Sequence, residues 1–356
     1  MGGGSSEEGH RKIKKRLVAF YDCIISIENL LAAWMEFRKG KRQKKDVQEF
    51  ELHLMDHILA LHEDLKSKVY VHSSYEAFKI SDPKQRDIHK ASVRDRLVHH
   101  AIYRILYPFF DRTFIADSYS CRDGKGVHRA LNQFRSFVRK VSRNHTKTTW
   151  VLKCDVRKFF ASIDQEILLS ILRDRIPDQD VMWLLEKVIR SFSSPLPAIP
   201  LEREEGKRGL PLGNLTSQLL VNIYMNEFDK FVKHRLKTKY YIRYADDFVV
   251  FSQDRDWLEM ILGKMKEFLR ERLKLELHPD KVSIATLASG VDFLGWVHFP
   301  EHRVLRTVTK RRMLRNIREK EGKKETIRSY FGLLSHGNSH KLRGKIIRNI
   351  SSGIFE

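Results

Sequence analysis

The sequence predicts an α+β fold, on three observations. Long stretches carry apolar residues at helical spacing, shorter ones read as β-strands, and neither an internal repeat nor a second core separates them. With 356 residues and 42% hydrophobic content, the chain can fill one large domain or two modest ones. One continuous body with a basic C-terminal helical lobe is the expectation. The formal net charge of +22 points to a polyanionic partner, nucleic acid first and an anionic membrane surface second. The longest apolar runs fall far short of the ~20 residues of a spanning helix, and no secretory leader pattern opens the chain. No membrane association is therefore expected. Cys23, Cys121 and Cys154 are odd in number and widely spaced. They suit neither a disulfide framework nor a zinc site, and they fit a cytoplasmic location.

Residues 1–16 read as a flexible basic tail: MGGGSS, which formally fits an N-myristoylation pattern, precedes HRKIKKR. From Leu17 to Leu65 the spacing is helical, as in IENLLAAWMEF and FELHLMDHILALHEDL. RKGKRQKK (Arg38 to Lys45) between them is a basic helix face or linker. VYVHSSYEAFKI (69–80) alternates like a strand, and SDPKQRD follows as a turn with Pro83 as its punctuation. Residues 87–110 suggest a helix. SYSCRDGKGVHRAL (Ser118 to Leu131) is a glycine-containing turn entering a helix, and TTWVLKCDV (Thr148 to Val156) is a strand. A helical region runs from Gln165 to about Phe192. The Pro-, Gly- and charge-rich stretch Ser193 to Gly213 is a long loop or hairpin. Leu215 to Leu236 reads as a strong amphipathic helix and Asp256 to Leu273 as another. Short strands fill KLELHPDKVSIATLASGVDFLGWVHFP, and the tail from Thr309 is basic and mostly helical.

YYIRYADDFVVFS (Tyr240 to Ser252) sets Asp246 and Asp247 side by side between two runs apolar enough to be central strands. Asp is a good turn residue, so a plain hairpin turn is one reading. Adjacent carboxylates at a low-dielectric sheet repel, however, and one protonates unless cations sit there. Hard divalent ions with oxygen ligands remove that cost. Asp155 ends another apolar strand; if that strand lies beside the hairpin, three carboxylates converge. Such a trio can hold two Mg²⁺ ions about 4 Å apart for phosphoryl transfer, in which little covalent chemistry falls to the protein. His278, His298 and His302 have a spacing that suits strands and turns, so each is expected satisfied or exposed, and none a metal ligand.

YADD between strands, the strand end DVRKFF and GLPLGNLTSQ before a helix together resemble a reverse transcriptase, over roughly Leu65 to Asn338. The resemblance implies a right-hand polymerase fold: N-terminal helices and the start of the fingers over 17–80, fingers and palm with an antiparallel sheet over 81–300, and a basic helical thumb over 301–356. It implies catalytic Asp155, Asp246 and Asp247 as metal ligands, with the Val156 carbonyl as a further ligand. It places Phe160 as a steric gate against a ribose 2′-OH, with Phe159 in the core. It assigns Arg122 and Lys125 to the incoming triphosphate, Lys281 to the departing pyrophosphate, and Leu212, Gly213 and Gln218 to the nascent pair. Phe293, Leu294, Gly295 and Trp296 resemble the primer grip. SYFGLLSHGNSHKL (Ser329 to Leu342) resembles a bacterial thumb segment, whose basic helices would track a duplex backbone. Template RNA, a cDNA primer and product, and dNTPs are the implied partners.

One block departs from the common pattern. Many reverse transcriptases read PQG and then a Ser-Pro pair, whereas this chain reads Pro211-Leu212-Gly213 and Thr216-Ser217-Gln218. That form is similar to the enzymes of diversity-generating retroelements. Those make adenine-mutagenised cDNA from a template-repeat RNA and work with a small basic helical-bundle accessory protein. A glutamine at 212 could hydrogen-bond the nascent pair; Leu212 offers apolar contact only, and a lost contact of ~1 kcal/mol lowers discrimination several-fold. A retron or phage-defence enzyme shares YADD and a compact chain. A non-catalytic RNA-binding splicing cofactor on a decayed polymerase fold, or a template-independent polymerase, are further alternatives; the intact carboxylate trio speaks against decay.

Overall fold

A computed structural model describes residues 20–81, 85–192, 208–320 and 322–351. The N-terminal tail, the turn around Pro83, most of the loop after Ser193 and the last five residues lie outside the described residues. Where one continuous body was expected, the chain divides into two compact units. The first holds the described residues up to Ile115, Arg157–Phe231 and Phe268–Glu276, and the second holds the rest.

In the first unit the helical spacing resolves into α1 (Phe20–Ile25), α2 (Ile27–Phe37), α3 (Lys45–Leu52) and α4 (Leu54–Lys66). Ser26 starts α2 by accepting from the Asn29 N–H. Residues 38–44 are the linker of the two readings offered for RKGKRQKK. Of the strand expected over 69–80, only β1 (Glu76–Ile80) forms, paired antiparallel with β2 (Arg86–Lys90). Residues 70–73 are held by side chains instead: the Tyr70 hydroxyl and the Ser73 N–H both donate to buried Asp95, at 2.7 and 3.1 Å. The helix expected from 87 starts later, as α5 (Val93–Asp111), because Ser92 caps it through the Asp95 N–H. Buried Leu97, Val98, Ala101 and Ile102 make α5 the centre of this unit.

After α6 (Val127–Val141) of the second unit, the chain forms the short α7 (Phe159–Ser162). The helix expected over 165–192 is two, α8 (Gln165–Arg173) and α9 (Gln179–Arg190). Pro177 disfavours helical backbone at the residue before it, and Asp178 caps the restart. α10 (Leu215–Lys230) corrects the amphipathic reading. Leu219 to Met225 are all buried, Asn222 included, so the helix has no wet face there. It continues as one π-turn, Phe231–Arg235.

The second unit is built on a four-stranded antiparallel sheet in the order β4-β5-β3-β6: β3 is Trp150–Asp155, β4 Tyr241–Tyr244, β5 Asp247–Ser252 and β6 Ser283–Thr286. One face carries Val151, Ile242, Val249 and Phe251 into a core with α6 (Val127–Val141), whose Ala130, Leu131, Phe134, Phe137, Val138 and Val141 form one helical stripe. α11 (Arg255–Leu273) follows β5. A smaller sheet, β7 (Val291–Phe293), β8 (Trp296–His298) and β9 (Arg303–Leu305), extends the same core. The basic tail adds α12 (Thr307–Glu319), α13 (Lys324–Leu334) and α14 (His340–Ser351), with Met313, Ile317, Leu334 and Ile346 facing inward.

Candidate active site

β3 ends at Asp155, β5 begins at Asp247, and the antiparallel register sets these residues directly opposite each other. Period-two alternation puts Val151, Lys153 and Asp155 on the sheet face that also carries Asp247, Val249 and Phe251. The apolar members fill the core, and the carboxylates fall at the sheet's end. The two carboxyls are close enough to interact, and Asp155 helps to raise the Asp247 carboxyl. The Asp247 carboxyl is accordingly pushed up to about 7, by burial first, then by the charges of Asp246 and Asp155, with Lys153 opposing.

Asp246 sits in the two-residue turn before β5, after Ala245 in the left-handed region at φ 54°. The turn is tied down from two sides. The Val156 N–H donates to the Asp246 carbonyl at 3.2 Å. From beneath, the Arg243 guanidinium donates to the Ala245 carbonyl at 3.1 Å and to Ser118 Oγ at 3.0 Å. Arg243 is fully buried, and the sequence reasoning passed over it. Its signal was a lone cation within an otherwise apolar strand, YIRY. Arg243→Met leaves the buried Ser118 hydroxyl and the partly buried Ala245 carbonyl without their donor. Urea unfolding is expected to show a loss of about 2–4 kcal/mol, and the turn's carboxylates lose their support.

Lys281, on the short turn Pro279–Lys281, forms an ion pair with Asp155, Nζ to Oδ1 at 2.8 Å. The His278 N–H holds the Asp155 carbonyl at 2.8 Å. Convergence of three carboxylates was expected. The structure joins Asp155 to Asp247 and leaves Asp246 acting on Asp247 through its charge. Among the described residues no group of three acidic, His or Cys side chains is arranged to hold a metal ion. Lys281 neutralises one of the like charges through its ion pair with Asp155. The donor chemistry nevertheless fits a hard divalent cation: carboxylate oxygens, one of whose carboxyls is pushed up to about 7 by burial and then by neighbouring negative charge.

Residues 79–298 match the family described as reverse transcriptase (RNA-dependent DNA polymerase). The chain belongs to the reverse transcriptase family. Its α+β, right-hand polymerase fold class is the one the sequence predicts. Among curated proteins, Protein YkfC of Escherichia coli K12 is 28% identical over 258 residues, 64% of this chain and 65% of YkfC. The group II intron-encoded protein LtrA of Lactococcus lactis subsp. cremoris is 24% identical over 286 residues, 61% of this chain and 45% of LtrA. The chain thus spans less than two thirds of either relative. Neither name speaks to a diversity-generating retroelement. Among solved structures, telomerase from Candida albicans in complex with a TWJ fragment of telomeric RNA aligns with TM-score 0.49 and 10% identity, over 83% of this chain and 60% of that one.

The remaining sites expected of a reverse transcriptase fall in both units. In the second, Ser118 adds to the β4 edge as a parallel bridge to Arg243, which carries the turn of Arg122 and Lys125. Both side chains fold back onto that turn: Arg122 donates to the Ser118 carbonyl at 3.0 Å, and Lys125 to the Ala116 carbonyl at 2.8 Å. Leu294 and Gly295 form the tight turn between β7 and β8, at φ 50° and 83°. Phe293 and Trp296 flank it and are buried core residues, so their side chains are packing anchors. The first unit holds Phe160, Leu212, Gly213 and Gln218. Phe159 is buried and Phe160 half-buried, and the Phe160 carbonyl accepts from the Leu210 N–H at 2.8 Å. The Leu212 carbonyl accepts from the His89 N–H at 3.1 Å. Gly213 has φ 111°, and a Cβ there would lie 3.0 Å from Ile88 Cγ2, so the glycine is required twice over.

His298 corrects an expectation. It is neither exposed nor satisfied: it is 3% exposed, and its Nε2 has no hydrogen-bond partner among the described residues.

Proposed function

We propose that the chain copies RNA into DNA by two-metal nucleotidyl transfer. The observation that carries this is the pair Asp155 and Asp247, opposed across β3 and β5 with Asp246 adjacent. Asp155, Asp246, Asp247 and the Val156 carbonyl would hold two Mg²⁺ ions, which supply charge stabilisation for the transferring phosphoryl group. The other residues bind and orient. Arg122 and Lys125 grip the triphosphate, Lys281 leaves Asp155 for the departing pyrophosphate, and Phe160 excludes the 2′-OH. Fingers, palm and thumb are assigned as 17–80 with part of 81–300, the remainder of 81–300, and 301–356. The partners are template RNA, cDNA primer and product, dNTPs and a small basic helical-bundle protein, and the chain is read as cytoplasmic, encoded by a bacterium, an archaeon or a phage.

The finer reading is an error-prone enzyme of a diversity-generating retroelement, supported by LPLGNLTSQ and by the apolar Leu212. Primer extension on a defined RNA template with Mg²⁺, with each product sequenced, tests both levels. Errors concentrated opposite template adenines support the finer reading. Even, low error moves the reading to a retron-type or phage-defence reverse transcriptase. No cDNA, with native RNA and accessory protein supplied, sinks the polymerase reading. Leu212→Gln restores a directional contact and is expected to lower misincorporation several-fold in the same assay.

A further inference from the structure

Apart from the carboxylates, the second unit holds a cavity of about 420 Å³ beside α6, lined by the segment after β8, the start of β9 and residues 335–338. Arg135, Arg303, His298, His302 and Asn338 line it, and Glu301 is the one acid among its lining residues. Two of its polar groups are unsatisfied. Arg303 donates through Nε to the His336 carbonyl and lies over the Trp296 ring, yet its Nη1 is buried without a partner. The His298 ring stacks on Phe134, with centroids 4.0 Å apart. Its Nε2 has no hydrogen-bond partner among the described residues.

The charges define what fits. Burial and then Arg303 push the His298 imidazole down to about 3, so it is neutral. A neutral imidazole has one lone-pair acceptor nitrogen, and the unpartnered Nε2 is the one that can serve. Arg303 is itself lowered, by burial and by the like charge of Arg135. Two guanidiniums set together call for an anion. A bare acceptor beside them calls for a hydroxyl or N–H. A fully ionised phosphate meets the first demand and opposes the second. An RNA backbone unit meets both, because its ribose carries a donor next to its phosphate, whereas DNA lacks that donor.

We propose that this cavity binds one ribonucleotide unit of an RNA strand, the phosphate on Arg135 and Arg303 and the ribose 2′-hydroxyl donating to His298 Nε2. The site is separate from the carboxylates and does not need catalysis. It would retain RNA in preference to DNA of the same sequence.

The test is fluorescence anisotropy on the full chain in EDTA, without dNTPs, using a labelled single-stranded RNA and the DNA of identical sequence. Primer extension is run separately, so a failed polymerase and a failed RNA site are told apart. His298→Phe keeps a ring against Phe134 and removes the acceptor. It is expected to weaken RNA binding about three- to tenfold and leave DNA binding unchanged. Arg135 is exposed on α6, so Arg135→Gln retains the fold. It should weaken RNA and DNA alike, by about threefold or more, and reduce the slope of log affinity against log salt by about one. An unchanged RNA-to-DNA ratio in His298→Phe overturns the proposal, whether both affinities hold or both fall, since His298 would then serve packing or an ordered water only. Should His298→Phe fail to fold, unchanged affinity and salt slope in Arg135→Gln overturns it alone.

Discussion

Asp247→Asn is expected to reduce cDNA synthesis by at least about a thousandfold while the fold persists. Asparagine keeps the shape and one oxygen but removes the negative charge that a divalent ion needs. Losing one preorganised electrostatic contact to a transferring group already lowers rates by about 10²–10³, and here the loss also weakens the hold on the ions themselves. Asp155 stands opposite and Asp246 adjacent, so Asp155→Asn and Asp246→Asn should fall as far. The three act as one unit, and the double variant should be little worse than either single one. Single-turnover primer extension, with circular dichroism as the folding control, checks this. Retention of more than a tenth of wild-type rate by Asp247→Asn would falsify the assignment.

The same substitution should stabilise the metal-free protein, by about 2–4 kcal/mol above pH 7. In the folded chain the Asp247 carboxyl titrates at about 7, against an ordinary value of 3.8. Below about pH 4 the group is protonated whether the chain is folded or not, and it contributes nothing. Between pH 4 and 7 the unfolded chain releases the proton and the folded chain keeps it. Wild-type stability therefore falls as pH rises through that window, and the penalty is full above pH 7. The amide of the Asp247→Asn variant does not titrate and adds no such slope. Urea unfolding in EDTA at pH 5 and pH 8 reads the difference: a gap between variant and wild type that opens at pH 8 and narrows at pH 5 is the expected result. Equal gaps at both pH values would mean that Asp247 carries no excess charge. On the proposed assignment, one residue would trade stability for function.

Much of the site was legible because its signals are local. YADD between two apolar runs marks a hairpin through period and turn chemistry alone. A carboxylate at the end of WVLKCD is visible in the same way. The misreadings were local signals overruled from elsewhere. Residues 69–75 alternate like a strand but are claimed by buried Asp95, and Leu215–Lys230 has polar positions that the surrounding core buries regardless. DFLGW reads as a grip, yet Phe293 and Trp296 are taken by the core.

The sequence by itself determined the α+β class, the carboxylate inventory, the basic balance and the family. Each depends on residue type and short-range spacing. Tertiary structure alone decided that Asp155 faces Asp247, that Lys281 holds Asp155, that Arg243 lies buried under the turn and that His298 and Arg303 share a cavity. The first two are pairings between segments far apart in the chain, and the last two depend on which side chains the core encloses. Strand register and core packing select them, and a one-residue slip of β3 against β5 would turn Asp155 to the other face.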